Sequence, residues 1–191
     1  MYGSNSKNYG DGFTTMYGAN HEDIAYSYRT GNHGDGSWYS INGNIDYQRT
    51  SRKNKQRMIT FSYKINTQPQ TSNSNTGYED IHAKEEVDDL VKRLLLKNSQ
   101  SDGKTNTMEQ TFQVDYTTPI GELHTVEAGA KYIFRRNTSD NKLYEAAGGS
   151  DDYLYNEDRS SDYRHLNHIL AAYLGYTLKY KDFTFKPGVR Y

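Results

Sequence analysis

The segment Ile169-Leu-Ala-Ala-Tyr-Leu-Gly-Tyr-Thr-Leu-Lys-Tyr180, Lys181-Asp182, Phe183-Thr-Phe-Lys-Pro-Gly-Val-Arg-Tyr191 carries two alternating runs joined by two polar residues. In an extended chain, Leu170, Ala172, Leu174, Tyr176, Leu178 and Tyr180 share one side. Ile169, Ala171, Tyr173, Gly175, Thr177 and Lys179 share the other. Past Lys181-Asp182, Phe183, Phe185, Pro187, Val189 and Tyr191 oppose Thr184, Lys186, Gly188 and Arg190. Successive strand side chains point to opposite faces, so a sustained period of two predicts strands, and the short polar link predicts a hairpin.

The same period recurs upstream. Val126, Ala128, Ala130, Tyr132 and Phe134 alternate with Thr125, Glu127, Gly129, Lys131 and Ile133. Phe112, Val114 and Tyr116 oppose Thr111, Gln113, Asp115 and Thr117, and Ile59, Phe61, Tyr63 and Ile65 oppose Met58, Thr60, Ser62 and Lys64. Tyr39, Ile41, Gly43, Ile45 and Tyr47 form another such face, as do Ile24, Tyr26 and Tyr28. These apolar faces carry no charge. The opposite faces carry Arg29, Asp46, Lys64, Asp115, Glu127, Lys131, Lys179, Lys186 and Arg190. The predicted strands are 12–18, 24–29, 38–48, 57–65, 111–117, 124–135, 167–180 and 183–191.

Composition narrows the class. Leu, Ile, Val and Phe account for only 31 of 191 residues, and mean hydropathy is −1.03. That is too lean for an ordinary soluble core. Yet net charge is −1 and there are 19 tyrosines, which is not a disordered composition. No run of 18 apolar residues exists, so a transmembrane helix is excluded. The balanced charge argues against a nucleic-acid partner. Absence of cysteine excludes disulfides, Cys-ligated metals and a thiol nucleophile. Met1-Tyr-Gly-Ser-Asn-Ser has neither a basic nor an apolar leader region, so no signal peptide is expected.

Links between predicted strands alternate in length. Residues 20–23, 50–56, 118–122 and 181–182 are short links, whereas 30–37, 66–110 and 137–166 are longer. Tight turns at one end and long loops at the other are the pattern of an outer-membrane barrel. Aromatics fall into two belts, as membrane–water interfaces select. Tyr28, Tyr63, Tyr132 and Phe134 lie toward the long-loop end, and Tyr116, Tyr180 and Phe183 toward the short-turn end. Tyr39 and Tyr47 stand at opposite ends of one outward face. One stretch differs: Val87, Leu90, Val91, Leu94 and Leu95 have helical spacing, with Asp88/Lys92 and Asp89/Arg93 as i,i+4 pairs. A short amphipathic helix over 85–96, inside the longest loop, follows.

Three blocks carry a family resemblance: Ile45-Asp-Tyr-Gln-Arg-Thr with Phe61-Ser-Tyr-Lys; Gln113-Val-Asp-Tyr-Thr-Thr-Pro-Ile-Gly with His124-Thr-Val-Glu-Ala-Gly-Ala-Lys-Tyr; and Ile169-Leu-Ala-Ala-Tyr-Leu-Gly-Tyr with Lys186-Pro-Gly-Val-Arg-Tyr191. Over about 38–65 and 110–191 the chain resembles the barrel part of TonB-dependent outer-membrane receptors. The resemblance implies a large barrel in the outer membrane of a Gram-negative bacterium, an N-terminal plug inside it, and uptake energised by an inner-membrane complex. Such barrels have 22 strands. The chain carries no plug sequence and stops in mid-strand, so a fragment of the barrel is expected.

No catalytic motif is present, and neither a cofactor site nor a metal site is expected. His165 and His168 are three apart, which on a strand puts them on opposite faces. His21, His33, His82 and His124 have no matching partners nearby in the sequence. Asp151, Asp152, Asp158 and Asp162 are candidate Ca²⁺ ligands in the 137–166 loop, but no EF-hand spacing accompanies them. Asn137-Thr-Ser139 fits a glycosylation sequon without a context that uses it. The substrate-binding residues are not legible.

The expectation is an all-β, antiparallel up-and-down transmembrane barrel segment of about eight strands spanning 1–191. Long extracellular loops, one with a short helix, serve as a ligand-contact surface. Its partners are outer-membrane lipid, the rest of the barrel and a plug. The alternatives are a small self-contained outer-membrane barrel with a structural or adhesive role, and a soluble Tyr-rich β binding module.

Overall fold

The computed structural model describes residues 1–18, 23–85, 88–92 and 96–191. Among these residues eight antiparallel strands form one sheet. They are β1 (Tyr2–Tyr17), β2 (Ile24–Thr50), β3 (Met58–Ala83), β4 (Lys97–Ile120), β5 (His124–Ala147), β6 (Leu154–Tyr180), β7 (Phe183–Phe185) and β8 (Gly188–Arg190). Each pairs with its sequence neighbour in an up-and-down meander, and β8 returns to pair with β6 above β7. The sheet is open: β1 and the β7/β8 strip lie at opposite ends of the order. The fold class matches the expectation.

The strand bounds correct it. Residues 24–29 and 38–48 are one strand of 27 residues, with no loop at 30–37. Most of the expected loops 66–110 and 137–166 is also strand, because β3 and β5 run upward to Ala83 and Ala147 and β4 and β6 begin at Lys97 and Leu154. The first strand starts at Tyr2 rather than at 12, and the last splits at Lys186-Pro187. Segments such as Thr71-Ser-Asn-Ser-Asn-Thr76 are polar on both faces, so alternation, the signal used to find strands, vanishes there. The backbone ladder still forms, with Ser74 opposite Gly34 on one side and Ser101 on the other. Even Pro69 is accommodated: its missing donor faces β2, where pairing lapses between Trp38/Gln70 and Ile41/Thr67.

With 30–37 in strand, the ends change partners. The 18–23 link, expected among the tight turns, lies at the same end as the 84–96 and 148–153 links. The other end holds the turns at 51–57, 121–123 and 181–182. Two of these use left-handed backbone, at Gly121 (φ 70°) and Lys181 (φ 52°). Of the helix expected over 85–96, the structure shows α1 (Asp88–Leu90), one turn, with the Lys92–Asp88 pair at 2.9 Å. Val87, Arg93, Leu94 and Leu95 lie outside the described residues.

Register fixes the faces. Ile45 pairs with Tyr63, Tyr63 with Phe112, Phe112 with Tyr132 and Tyr132 with Leu170, so the apolar residues of β2–β6 share one side. Val189 joins them opposite Leu174. Tyr28 does not join: it lies an odd number of residues from Tyr39 in one uninterrupted strand, hence on the opposite face. Its ring meets Tyr78 there, far above the apolar band. That band is exposed, with Ile45 70 %, Leu170 72 % and Val189 67 % accessible. In water such a surface would be untenable; in a bilayer it is the lipid face.

The band also runs obliquely. Tyr47, low on β2, aligns with Phe61, Val114, Ala130 and then Ala172, near the top of the apolar run on β6. Strands tilted against the membrane normal require this offset. A strand of 26 residues is roughly 85 Å long, about twice what a tilted crossing uses. The strands therefore rise well beyond the band at the end opposite the tight turns, which is the extracellular side by this asymmetry. Among the described residues the buried hydrophobic side chains are Val91, Leu96 and Ala146, all at that far rim.

Candidate functional site

Two regions place side chains where a ligand or another part of a barrel would meet them: the inward face within the membrane band, and the extracellular rim.

On the inward face, Asp115, Gly129 and Tyr173 face one another across β4, β5 and β6. Gly129 leaves space that the Tyr173 ring covers, and any Cβ there would strike that ring. The Tyr173 hydroxyl donates to Asp115 Oδ1 at 2.6 Å, and Gln113 Nε2 donates to Oδ2 at 2.7 Å. Next to them Lys186 pairs with Glu127 at 3.2 Å. Higher up, Arg135 pairs with Glu109. A hollow of about 550 Å³ opens between β6 and the broken β7/β8 strip, lined by Gln113, Glu127, Lys131, Tyr173, Lys186 and Arg190. Of the charged residues expected on the inward face, Glu127 and Lys186 pair with each other and Asp115 is held by Gln113 and Tyr173, so the wall is polar. Arg29 is the exception: opposite Phe13 and Glu79, it lies near the rim on the outward side.

The outward face bears the aromatic girdles. Tyr63, Phe112 and Tyr132 form a contiguous row of rings, and Tyr132 Oη lies 2.7 Å from His168 Nδ1. Toward the tight-turn end His124 Nδ1 meets Tyr176 Oη at 2.5 Å. His168 is thus a girdle residue. His165 points inward and stacks on Tyr163, so the two histidines do fall on opposite faces. His33 contacts Tyr9. His21 lies outside the described residues.

The rim is tied by a few strong contacts. Asn98 accepts from Tyr78 N–H at 2.7 Å and donates to the Ser150 carbonyl at 2.9 Å. Gly148 N–H donates to the Lys92 carbonyl and Gly149 N–H to that of Tyr78. The β3–β4 and β5–β6 connections are thereby stitched together. On β6, residues 157–160 bulge out where the register against β5 shifts between Asn141 and Leu143. Glu145 anchors this bulge: Asn156 Nδ2 donates to it at 2.6 Å, with Arg159 and Lys97 close by. The Asn156 hydrogen bond, then Lys97 and Arg159, hold the Glu145 carboxyl below the usual glutamate range.

The four candidate Ca²⁺ ligands are scattered. Asp151 and Asp152 sit in the 148–153 turn, Asp158 in the bulge, and Asp162 pairs with Asp140 in the ladder. Among the described residues no group of three or more metal-ligating side chains is gathered. Sequence reasoning missed the Glu145 cluster and the Asn98 knot. Each depends on a bulge or a cross-loop contact with no periodic signal.

An open, antiparallel sheet with one apolar outward band, two aromatic girdles and a polar inward wall is the architecture of an outer-membrane barrel wall. A model of the outer membrane protein beta-barrel family matches residues 49–191. The chain belongs to this family. The family places it in the outer membrane of a Gram-negative bacterium. The match begins on β2 just before the first tight turn and takes in every later strand. No curated protein matches the chain.

Proposed function

We propose that this family member forms part of the barrel of a TonB-dependent receptor for nutrient uptake. It acts as membrane scaffold and, through its tall rim, as an extracellular contact surface for the ligand. The role is one of binding and passage, without catalysis. A plug within the barrel and an energy-transducing inner-membrane complex are its proposed partners.

One observation carries this reading. Pairing between β1 and β2 ends at Tyr2/Ser40, so the Ile41–Thr50 portion of β2 has an unpaired edge inside the apolar band. Unsatisfied backbone donors and acceptors in hydrocarbon cost several kcal/mol each, so that edge demands another strand. Eight strands that remain open support a wall segment of a wider barrel, of the size that encloses a plug. A self-contained small barrel would need β1 beside β7 or β8, and they lie at opposite ends of the sheet. A soluble module would leave the whole apolar band in water.

The test is uptake by the bacterium that makes the protein. Deleting its gene and, separately, disabling the inner-membrane energising complex should abolish uptake of the same nutrient. Uptake that needs this barrel but survives loss of the energising complex would refute the reading.

A further inference from the structure

Arg135 and Arg136 are consecutive on β5 and therefore face opposite ways. Arg135, inward, is paired with Glu109. Arg136, outward, lies between Met108 and Leu166 in the register. It stands one step above Phe134, the last apolar residue of the lipid face on β5. Its Nε is closed off from solvent and has no hydrogen-bond partner among the described residues. On β6, one step above Leu166, stands Arg164, opposite Thr138. The two arginines are thus diagonal neighbours on adjacent strands, about 7–8 Å apart between backbones. Both stand at the upper margin of the apolar band. The nearest outward carboxylates, Asp140 and Asp162, form the next pair up the ladder, farther from the lipid.

We propose that Arg136 and Arg164 clasp a phosphate of an outer-leaflet lipid headgroup. The lipid face of β5 and β6 ends at these residues, just above the girdle residues Gln110 and His168, and its first charged neighbours there are two guanidiniums. The outer leaflet of such membranes presents phosphorylated glycolipid at this height. Guanidinium forks match phosphate oxygens bidentately, and two of them side by side at the edge of the apolar band, with no outward carboxylate nearer than Asp140 and Asp162, suit one phosphate. Each basic side chain at a membrane surface strengthens attraction to anionic lipid on the order of fivefold.

The experiment measures binding of phosphorylated lipid A, carried in neutral detergent micelles, to the full chain refolded in the same detergent. Wild type should bind it at least tenfold more tightly than dephosphorylated lipid A. Arg136→Gln/Arg164→Gln should lose that margin, and Lys131→Gln, on the inward wall, should keep it. Inorganic phosphate at millimolar concentration should not displace the lipid. If the double variant does not fold, Arg164→Gln alone should weaken binding several-fold while Arg136→Lys keeps most of it. Wild-type affinity in the arginine variants, or equal binding of dephosphorylated lipid, would overturn the proposal. Displacement by inorganic phosphate would do so too, since it would mean a soluble-anion site.

Discussion

Gly129 is where a single atom decides packing on the inward wall. A Cβ at that position meets the Tyr173 ring and the Asp115 carboxylate. Gly129→Ala must push Tyr173 off Asp115, and overpacking of this kind costs about 1–3 kcal/mol. Tyr173→Phe keeps the ring over Gly129 and removes only the hydroxyl, for a loss of about 1.5–3 kcal/mol, the range for hydrogen bonds to charged groups. Urea unfolding in micelles measures both. Glu145 supplies a second residue-scale test. Its carboxyl is held below the ordinary glutamate range, first by the Asn156 hydrogen bond and then by Lys97 and Arg159. A depressed carboxyl pKa contributes stability that is present above the unfolded value and lost as pH falls through the folded one. Protection of the amides of residues 156–160, measured against their intrinsic exchange rates at each pH, should therefore fall on acidification below the glutamate range. Glu145→Gln should show low protection at neutral pH and no further fall in acid.

At the scale of the strand, the lipid face is a testable assignment. Ala128 and Leu174 are direct partners on β5 and β6, near the middle of the apolar run on each. Arginine at either should cost roughly 2–4 kcal/mol in a bilayer. Arginine at Gln113, on the inward wall of β4, should cost far less. Equal folding yields for all three in vesicles would sink the assignment. The strands also show where alternation fails as a guide. Between Phe183 and Phe185, or Val126 and Phe134, one face meets lipid and the other water, so the sequence alternates and the strand is legible. Above the band both faces meet water, and Thr71-Ser-Asn-Ser-Asn-Thr76 has nothing to alternate. That is why 30–37 resembled a loop, and why Tyr28 was assigned to the wrong face.

For the whole molecule, the open edge is the dominant fact. Residues of β2 from Ile41 to Thr50 pair with β3 alone. Alternate amides of this stretch should exchange quickly in the isolated chain and become protected once the neighbouring wall of a complete barrel is in place. Uniform protection in the isolated chain would mean that the edge is already closed, by self-association or by the chain's own strands. Stability here does not come from a core within the strands, since the buried apolar side chains among the described residues are Val91, Leu96 and Ala146, all at the rim. It comes from ladder hydrogen bonds and from lipid on the outward band, so detergent or membrane is part of the fold.

The sequence by itself determined the membrane half. A period of two with an uncharged face, tyrosines at its margins and tight polar turns admits few structures other than a transmembrane barrel wall, because only lipid rewards apolar side chains on the outside of a sheet. The inward charges within that half were legible for the same reason. Only the tertiary structure decided how far the strands rise beyond the bilayer, which end each connection occupies, and which polar groups meet. Those features rest on backbone pairing between segments distant in the chain. Backbone groups are common to every residue, so they leave no mark in the sequence.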